Sequence, residues 1–128
     1  AAARLDPELI IKDYLSAMEA RDMTKASSLL ARGFTMSFPG TGPMKTLDAL
    51  IQWSKPRYKF VTKTYEGFDA LQSPDDASIV YCRGTLQGEY HDGSWFEGIR
   101  FIDRFKVVDG KITKQDVWND MAEVRANT

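Results

Sequence analysis

Asp103 is the residue of this sequence whose position most invites chemistry. It lies in the β-rich run 95–107, where the side chains of an extended strand alternate between two faces. Asp103 therefore shares a face with Phe101 and Phe105, while the opposite face carries arginine and lysine. An unpaired buried carboxylate costs several kcal/mol. The position predicts either an acid–base role or a carboxylate held by an arginine or by backbone N–H groups.

Tyr14 is the second candidate for a chemical role. It lies on an apolar stripe with Ile10, Ile11 and Leu15 at helical spacing. A tyrosine there is either a core residue whose hydroxyl finds a partner or a donor directed into a cavity. A hydroxyl that reaches Asp103 would satisfy both interpretations at once.

Further residues could complete a site around these two. Glu97, on the face of Asp103, and Asp116, in the last strand, are candidate bases. His91 stands beside an Asp-Gly turn and is expected to be an exposed loop residue, and Cys82 is expected to be a small buried hydrophobe. Aromatic and apolar residues at these spacings are either plain core or pocket lining. The pocket candidates are Phe38, Trp53, Phe60, Trp95, Phe101, Val117 and Asn119.

Composition excludes several classes of function. Seventeen basic and eighteen acidic residues give a net charge of −1 without a long charge run, which argues against a nucleic-acid or anionic-membrane partner. One histidine and one cysteine leave few metal ligands, so no metal is expected. No glycine-rich phosphate loop is present, and no cofactor is expected. The 128 residues predict a single domain over 1–128, and the lack of a secretory signal or long apolar run favours a cytoplasmic location.

Periodicity and turn residues predict helices first and strands afterwards. Capping residues and apolar spacing predict helices over about 6–21, 24–31 and 46–56, the second ended by Gly33. Strands are predicted over about 34–38, 57–70, 78–90, 95–107 and 111–119, with Asp109-Gly110 as a tight hairpin turn. This order predicts an α+β fold in which a curved, barrel-like sheet wraps around the helices and leaves a conical cavity open at one end.

Three stretches resemble the nuclear transport factor 2-like (NTF2-like) superfamily, in its SnoaL-like and ketosteroid isomerase-like branch. They are residues 14–22, residues 29–34, and the motif Phe101-Ile-Asp-Arg-Phe105 followed by Asp109-Gly-Lys-Ile112. The resemblance implies a cone-shaped fold with three N-terminal helices packed on a strongly curved, mainly antiparallel β-sheet. It also implies a homodimer formed through the sheet. Val61 and Tyr65, beside Lys59 and Lys63, are expected on that outward face.

The resemblance also implies roles for individual residues. Ketosteroid isomerases hold an oxyanion between a helix-one tyrosine and a neutral aspartic acid, and these positions correspond to Tyr14 and Asp103. Phe38 stands where that family has its carboxylate base, so authentic ketosteroid isomerisation is not expected. The base would instead be Glu97, Asp116 or water. The expected ligand is a small apolar molecule that carries a carbonyl or a hydroxyl.

Other functions of the superfamily stay open at this point. A polyketide cyclase-like enzyme would also act next to a carbonyl. An epoxide hydrolase-like enzyme would need an arginine between two aspartates, for which Asp116, Asn119 and Asp120 are imperfect substitutes. The alternative of a different class is a non-catalytic ligand-binding or dimerisation module.

Overall fold

The computed structural model describes residues 6–126, and residues 1–5 and 127–128 of the predicted domain lie outside this range. Three helices lie in the N-terminal half and long strands follow them, as predicted; a C-terminal helix was not predicted. The elements are α1 Pro7–Glu19, α2 Met23–Ser28, β1 Leu30–Ser37, α3 Leu47–Ser54, β2 Phe60–Gln72, β3 Ser78–Glu89, β4 Trp95–Val108, β5 Lys111–Asn119 and α4 Met121–Ala126.

The five strands form one curved sheet in the order β1-β5-β4-β3-β2. Only β1 and β5 are parallel, and the other three pairs are antiparallel. The sheet is open, because β1 and β2 are its two edges and do not pair, so the expected barrel does not close. Residues of α1 and α3 join one apolar core with the inner face of the sheet. This is the predicted α+β cone.

Side-chain caps fix where the helices begin. The Asp6 carboxylate accepts a hydrogen bond from the Glu8 backbone N–H at 3.0 Å, and the Thr46 hydroxyl accepts one from the Ala49 N–H at 3.0 Å. These caps satisfy donors that a helix leaves unpaired at its first turn. The predicted starts of α1 and α3 are therefore confirmed.

The predicted extent of the second helix is wrong. The helix ends at Ser28 and β1 begins at Leu30, whereas the prediction continued the helix to Ala31 and ended it at Gly33. Gly33 instead lies inside β1 with a φ of 80°, within an irregular stretch of the pairing with β5. Apolar residues before a glycine fit a strand as well as a helix, and the pairing with β5 decides between them.

A bulge in β4 changes which side chains face inward. Gly98 has a φ of 70°, and the pairing with β3 shifts between Phe96 and Ile99. The extra residue inverts the alternation, so Phe96 is buried while Trp95, 55% exposed, and Glu97 lie outside. The prediction that Trp95 and Glu97 share the face of Asp103 is therefore wrong.

The face of β2 was also predicted the wrong way round. Val61, Lys63 and Tyr65 were expected on the outward face, but Val61 and Tyr65 pack against the core. Phe60, in turn, is 40% exposed and contacts the Trp95 ring with 6.2 Å between ring centroids. The predicted outward surface of β2 is therefore the inner wall of the cone.

Candidate functional site

An ion pair between Lys63 and Asp103 lies at the inner wall of the cone. Lys63 Nζ is 2.8 Å from Asp103 Oδ2, and the Asp103 side chain is fully buried while the Lys63 side chain is 22% exposed. The partner is thus a lysine and not the arginine considered from the sequence. Because an ionised carboxylate only accepts hydrogen bonds, the donor at this position is Lys63.

Gly84 leaves room for this pair to form across a strand. Lys63 on β2 stands opposite Leu86 on β3, and Asp103 on β4 stands opposite Cys82, so Gly84 is the inner-face residue between them. A Cβ at Gly84 would lie 1.9 Å from the Thr64 carbonyl oxygen, which shows how closely β2 approaches. Without a side chain at this position, Lys63 reaches diagonally to Asp103.

The charges of the pair stabilise each other. Burial is the largest single effect and would lower the pKa of Lys63, but the Asp103 carboxylate, with smaller contributions from Tyr65 and Cys82, outweighs it, so the pKa lies above its ordinary value. The ammonium also lies over the Phe101 ring, 4.8 Å from its centroid. Lys63 is therefore a charged donor at neutral pH.

Asp103 keeps one oxygen free. Its Oδ1 is buried and makes no hydrogen bond within the described residues, although Oδ2 is bonded to Lys63. Buried polar atoms are nearly always satisfied, so an unpartnered one marks a place for a ligand or water. The Cys82 thiol is also near, and burial, with Asp103 second, raises its pKa to about 12.

Tyr14 lies near this pair but bonds elsewhere. Its hydroxyl donates to Gln115 Oε1 at 3.4 Å, and its ring packs edge-on against Phe105 at 6.0 Å between centroids. Burial raises the pKa of Tyr14, and the opposing effect of Lys63 is smaller, so the hydroxyl stays protonated at neutral pH. The structure shows no direct hydrogen bond between Tyr14 and Asp103, the two predicted donors.

Two cavities meet at Lys63. The larger is about 120 Å³ and includes Tyr14 and Gln115 in its wall. The smaller is about 50 Å³ and includes Asp103. Their shared wall residues are Phe38, Tyr58, Val61 and Lys63. A cavity of roughly 150 Å³ holds benzene, so the space suits a molecule of about one ring.

The structure brings most of the predicted pocket residues together. The small cavity beside Asp103 is lined by Phe38, Trp53, Phe101, Val117 and Asn119, among others. The other two predicted pocket residues, Phe60 and Trp95, lie elsewhere. Their rings contact each other at the outer side of the sheet.

The two predicted bases are not beside Asp103. Glu97 is exposed beyond the β4 bulge. Asp116 lies in another depression next to Pro39 and Trp118, with Lys114 at 3.8 Å and Arg104 at 4.0 Å. His91 is exposed as expected, with its Nε2 against the Lys55 carbonyl oxygen, and Cys82 is fully buried as expected.

Lys63 and Arg57 were missed by sequence reasoning. Lys63 had a detectable signal, because it alternates with Val61 and Tyr65 just as Asp103 alternates with two phenylalanines. Arg57 precedes β2 and gives no such pattern. It lines the small cavity, with its guanidinium 4.3 Å above the Trp53 ring.

No three potential metal ligands cluster within residues 6–126. Among the helices of the same range, none combines the length and apolarity needed to cross a membrane.

The open cone of a five-stranded sheet packed against helices is the NTF2-like fold, and solved structures share it. An NTF2-like protein of unknown function from Burkholderia pseudomallei has a TM-score of 0.76 at 15% identity, covering 93% of this chain and 94% of that one. TerC, co-crystallised with polyporic acid, has a TM-score of 0.77 at 14% identity, covering 93% and 95%. The Anabaena orange carotenoid protein binding canthaxanthin has a TM-score of 0.68 at 17% identity, covering 84% of this chain and 35% of that one.

The sequence places the chain within this fold class. A model of the SnoaL-like domain matches residues 11–115, so the chain belongs to the SnoaL-like family. By sequence, no curated protein matches it significantly.

Proposed function

We propose that residues 1–128 form one domain that binds a small, mainly apolar molecule with a carbonyl or hydroxyl and transfers a proton next to that group. The observation that carries the proposal is the Lys63–Asp103 pair at the junction of two cavities, with Asp103 Oδ1 unpartnered. Two relatives of the fold are described with small organic ligands, polyporic acid and canthaxanthin, which supports a ligand-binding cone.

The proposed reaction is the interconversion of a ketone and its enol. Asp103 Oδ1 accepts the proton from the carbon next to the carbonyl, the electron pair of that C–H bond moves toward the oxygen, and Lys63 stabilises the enolate. Asp103 then returns the proton to the oxygen. Gln115, whose Oε1 accepts from the Tyr14 hydroxyl, lines the larger cavity beside Lys63, where the rest of the ligand would lie.

Hydrogen–deuterium exchange at the α-carbons of cyclohexanone, followed by NMR, tests this reaction. We expect the protein to accelerate exchange, Asp103→Asn to abolish the acceleration, and Lys63→Met to reduce it at least about 10-fold, because an oxyanion donor is worth about 10²–10³ in rate in other enzymes. Glu97→Gln is the matched control, since Glu97 is an exposed carboxylate on the same strand. Exchange that persists in Asp103→Asn would remove Asp103 as the base.

A dimerisation module is the second candidate function, and the outer face of the sheet favours it. Ile102 and Trp118 are paired neighbours on β4 and β5, 38% and 53% exposed. Contiguous exposed apolar residues of this kind are typical of interfaces. We propose an isologous homodimer through this surface, in place of the predicted one through Val61 and Tyr65.

Sedimentation equilibrium at micromolar concentration tests the homodimer. Trp118→Lys is expected to give a monomer, because it places a cation in the apolar contact. Trp95→Lys is the control, since Trp95 is exposed to a similar degree elsewhere on the sheet. A wild-type monomer under these conditions would rule out this interface.

A further inference from the structure

Arg57 carries a second unsatisfied group in the small cavity. Its Nε is buried and makes no hydrogen bond, and within residues 6–126 the guanidinium has no carboxylate partner. The guanidinium lies over the Trp53 ring, with its central carbon 4.3 Å from the ring centroid. Arg57 is half-buried as a whole, but a buried N–H that donates to nothing is costly unless a ligand or water completes it.

The same small cavity therefore has one unpartnered donor and one unpartnered acceptor. Arg57 supplies the Nε–H, and Asp103 supplies Oδ1. A ligand group that fits both must accept one hydrogen bond and donate another. A carbonyl oxygen only accepts and an ammonium only donates, but a hydroxyl does both.

Positive charge also converges on this cavity. The pKa of Tyr58, which lines both cavities, is raised by burial even though Arg21, Lys63 and Arg57 each act to lower it. Asp103 compensates Lys63, so Arg57 remains as an uncompensated cation in the small cavity. Such an environment favours an oxygen that takes on negative charge.

From these observations we infer that the ligand is an enol or a phenol whose hydroxyl donates to Asp103 Oδ1 and accepts from Arg57 Nε–H. This inference rests on the proposed function and names its substrate class. In the proposed interconversion of a ketone and its enol, Asp103 moves a proton from carbon to oxygen, and the enol is the form that carries this proton on oxygen. Arg57 is thereby a specificity-determining residue that selects a hydroxyl over a methyl group or a hydrogen at the same place.

Phenol and toluene form the probe pair, because they share one shape and differ in a hydroxyl against a methyl group. Binding of each to the full chain is measured by calorimetry or ligand-detected NMR titration. We expect phenol to bind at least about 10-fold more tightly than toluene, since hydrogen bonds to charged groups contribute that much or more.

Variants assign the preference to Arg57. Arg57→Met keeps most of the stem and removes one of the two partners of the hydroxyl, so the preference for phenol should fall by at least about 3-fold without vanishing, because Asp103 still accepts from the hydroxyl. Toluene should still bind, which shows that the cavity is intact. Lys55→Met, which removes an exposed positive charge two residues away, should keep the preference.

The outcomes separate this inference from the proposed function. Equal affinities for phenol and toluene in the wild-type protein, or a preference that is undiminished in Arg57→Met, would overturn the hydroxyl site and leave the exchange assay with cyclohexanone as an independent test. Binding of neither probe would overturn the inference and the ligand-binding cone together.

Discussion

Replacement of Lys63 by methionine tests the energetic role of the buried pair. Methionine retains an apolar, unbranched side chain of similar length and removes only the ammonium. Asp103, which is fully buried, then loses its ion-pair partner and keeps only the weak Cys82 thiol nearby. The variant therefore leaves a charge inside the protein without a partner, while the packing of the β2 stem changes little.

The expected loss follows from the burial of each partner. Removing one partner of a buried ion pair lowers the free energy of unfolding by about 3–5 kcal/mol. The small cavity of about 50 Å³ beside Asp103 has room for water, which places the expected loss near the lower end, about 3 kcal/mol. Asp103→Asn should cost less, about 1–2 kcal/mol, because the partly exposed Lys63 can turn its ammonium toward solvent.

Urea unfolding followed by circular dichroism measures these free energies. Lys59→Met is the matched control, because Lys59 forms a surface pair with Glu89 at 3.4 Å with side chains 62% and 28% exposed. Surface pairs contribute about 0–1 kcal/mol. If Lys63→Met costs no more than Lys59→Met, or less than Asp103→Asn, the assignment of Asp103 as a buried carboxylate dependent on Lys63 is refuted.

Three further predictions concern backbone and thiol. Gly84→Ala should destabilise the protein by more than about 2 kcal/mol in urea unfolding, because its Cβ would meet the Thr64 carbonyl oxygen at 1.9 Å; a loss under 1 kcal/mol would contradict the close approach of β2. Gly98→Ala should cost only about 1 kcal/mol in the same assay, since space is open there and only the φ of 70° opposes it; a larger loss would indicate contacts at the bulge. The pKa of Cys82 is raised to about 12 from an ordinary 9.0, so the contribution of the buried thiol to stability is fully present below pH 9 and is lost as pH rises toward 12. The unfolding free energy should therefore decline less steeply between pH 9 and 12 in Cys82→Ala than in the wild-type protein. Equal slopes in the two proteins would show that the thiol does not titrate in the unfolded chain alone.

Local patterns were sufficient for much of the fold. The caps of Asp6 and Thr46 depend on residues two or three positions away, and both were predicted. The Asp109-Gly110 turn was predicted for the same reason, and both residues have positive φ, 51° and 76°. The burial of Asp103 followed from alternation within one strand.

The errors arose where a distant strand decides the local structure. The alternation of β4 reverses at Gly98, and a bulge there is set by the pairing with β3 rather than by the residues around it. The inward direction of Lys63 depends on Asp103, forty positions away, because a lysine would otherwise turn to solvent. Pairing between charges so far apart in sequence cannot be read from either segment alone.

Replacement of both partners of the ion pair separates function from stability. Apolar residues of similar volume often replace a buried ion pair at no cost or with a gain of about 1–4 kcal/mol, because desolvation of both charges is avoided. We therefore expect Lys63→Met combined with Asp103→Leu to be at least as stable as the wild-type protein in urea, although Lys63→Met alone is not. The same double variant should show no acceleration of cyclohexanone exchange, because the base and the cation are both gone. A double variant as unstable as Lys63→Met would instead make the pair a requirement of the fold, and the argument from its position to a function would fail.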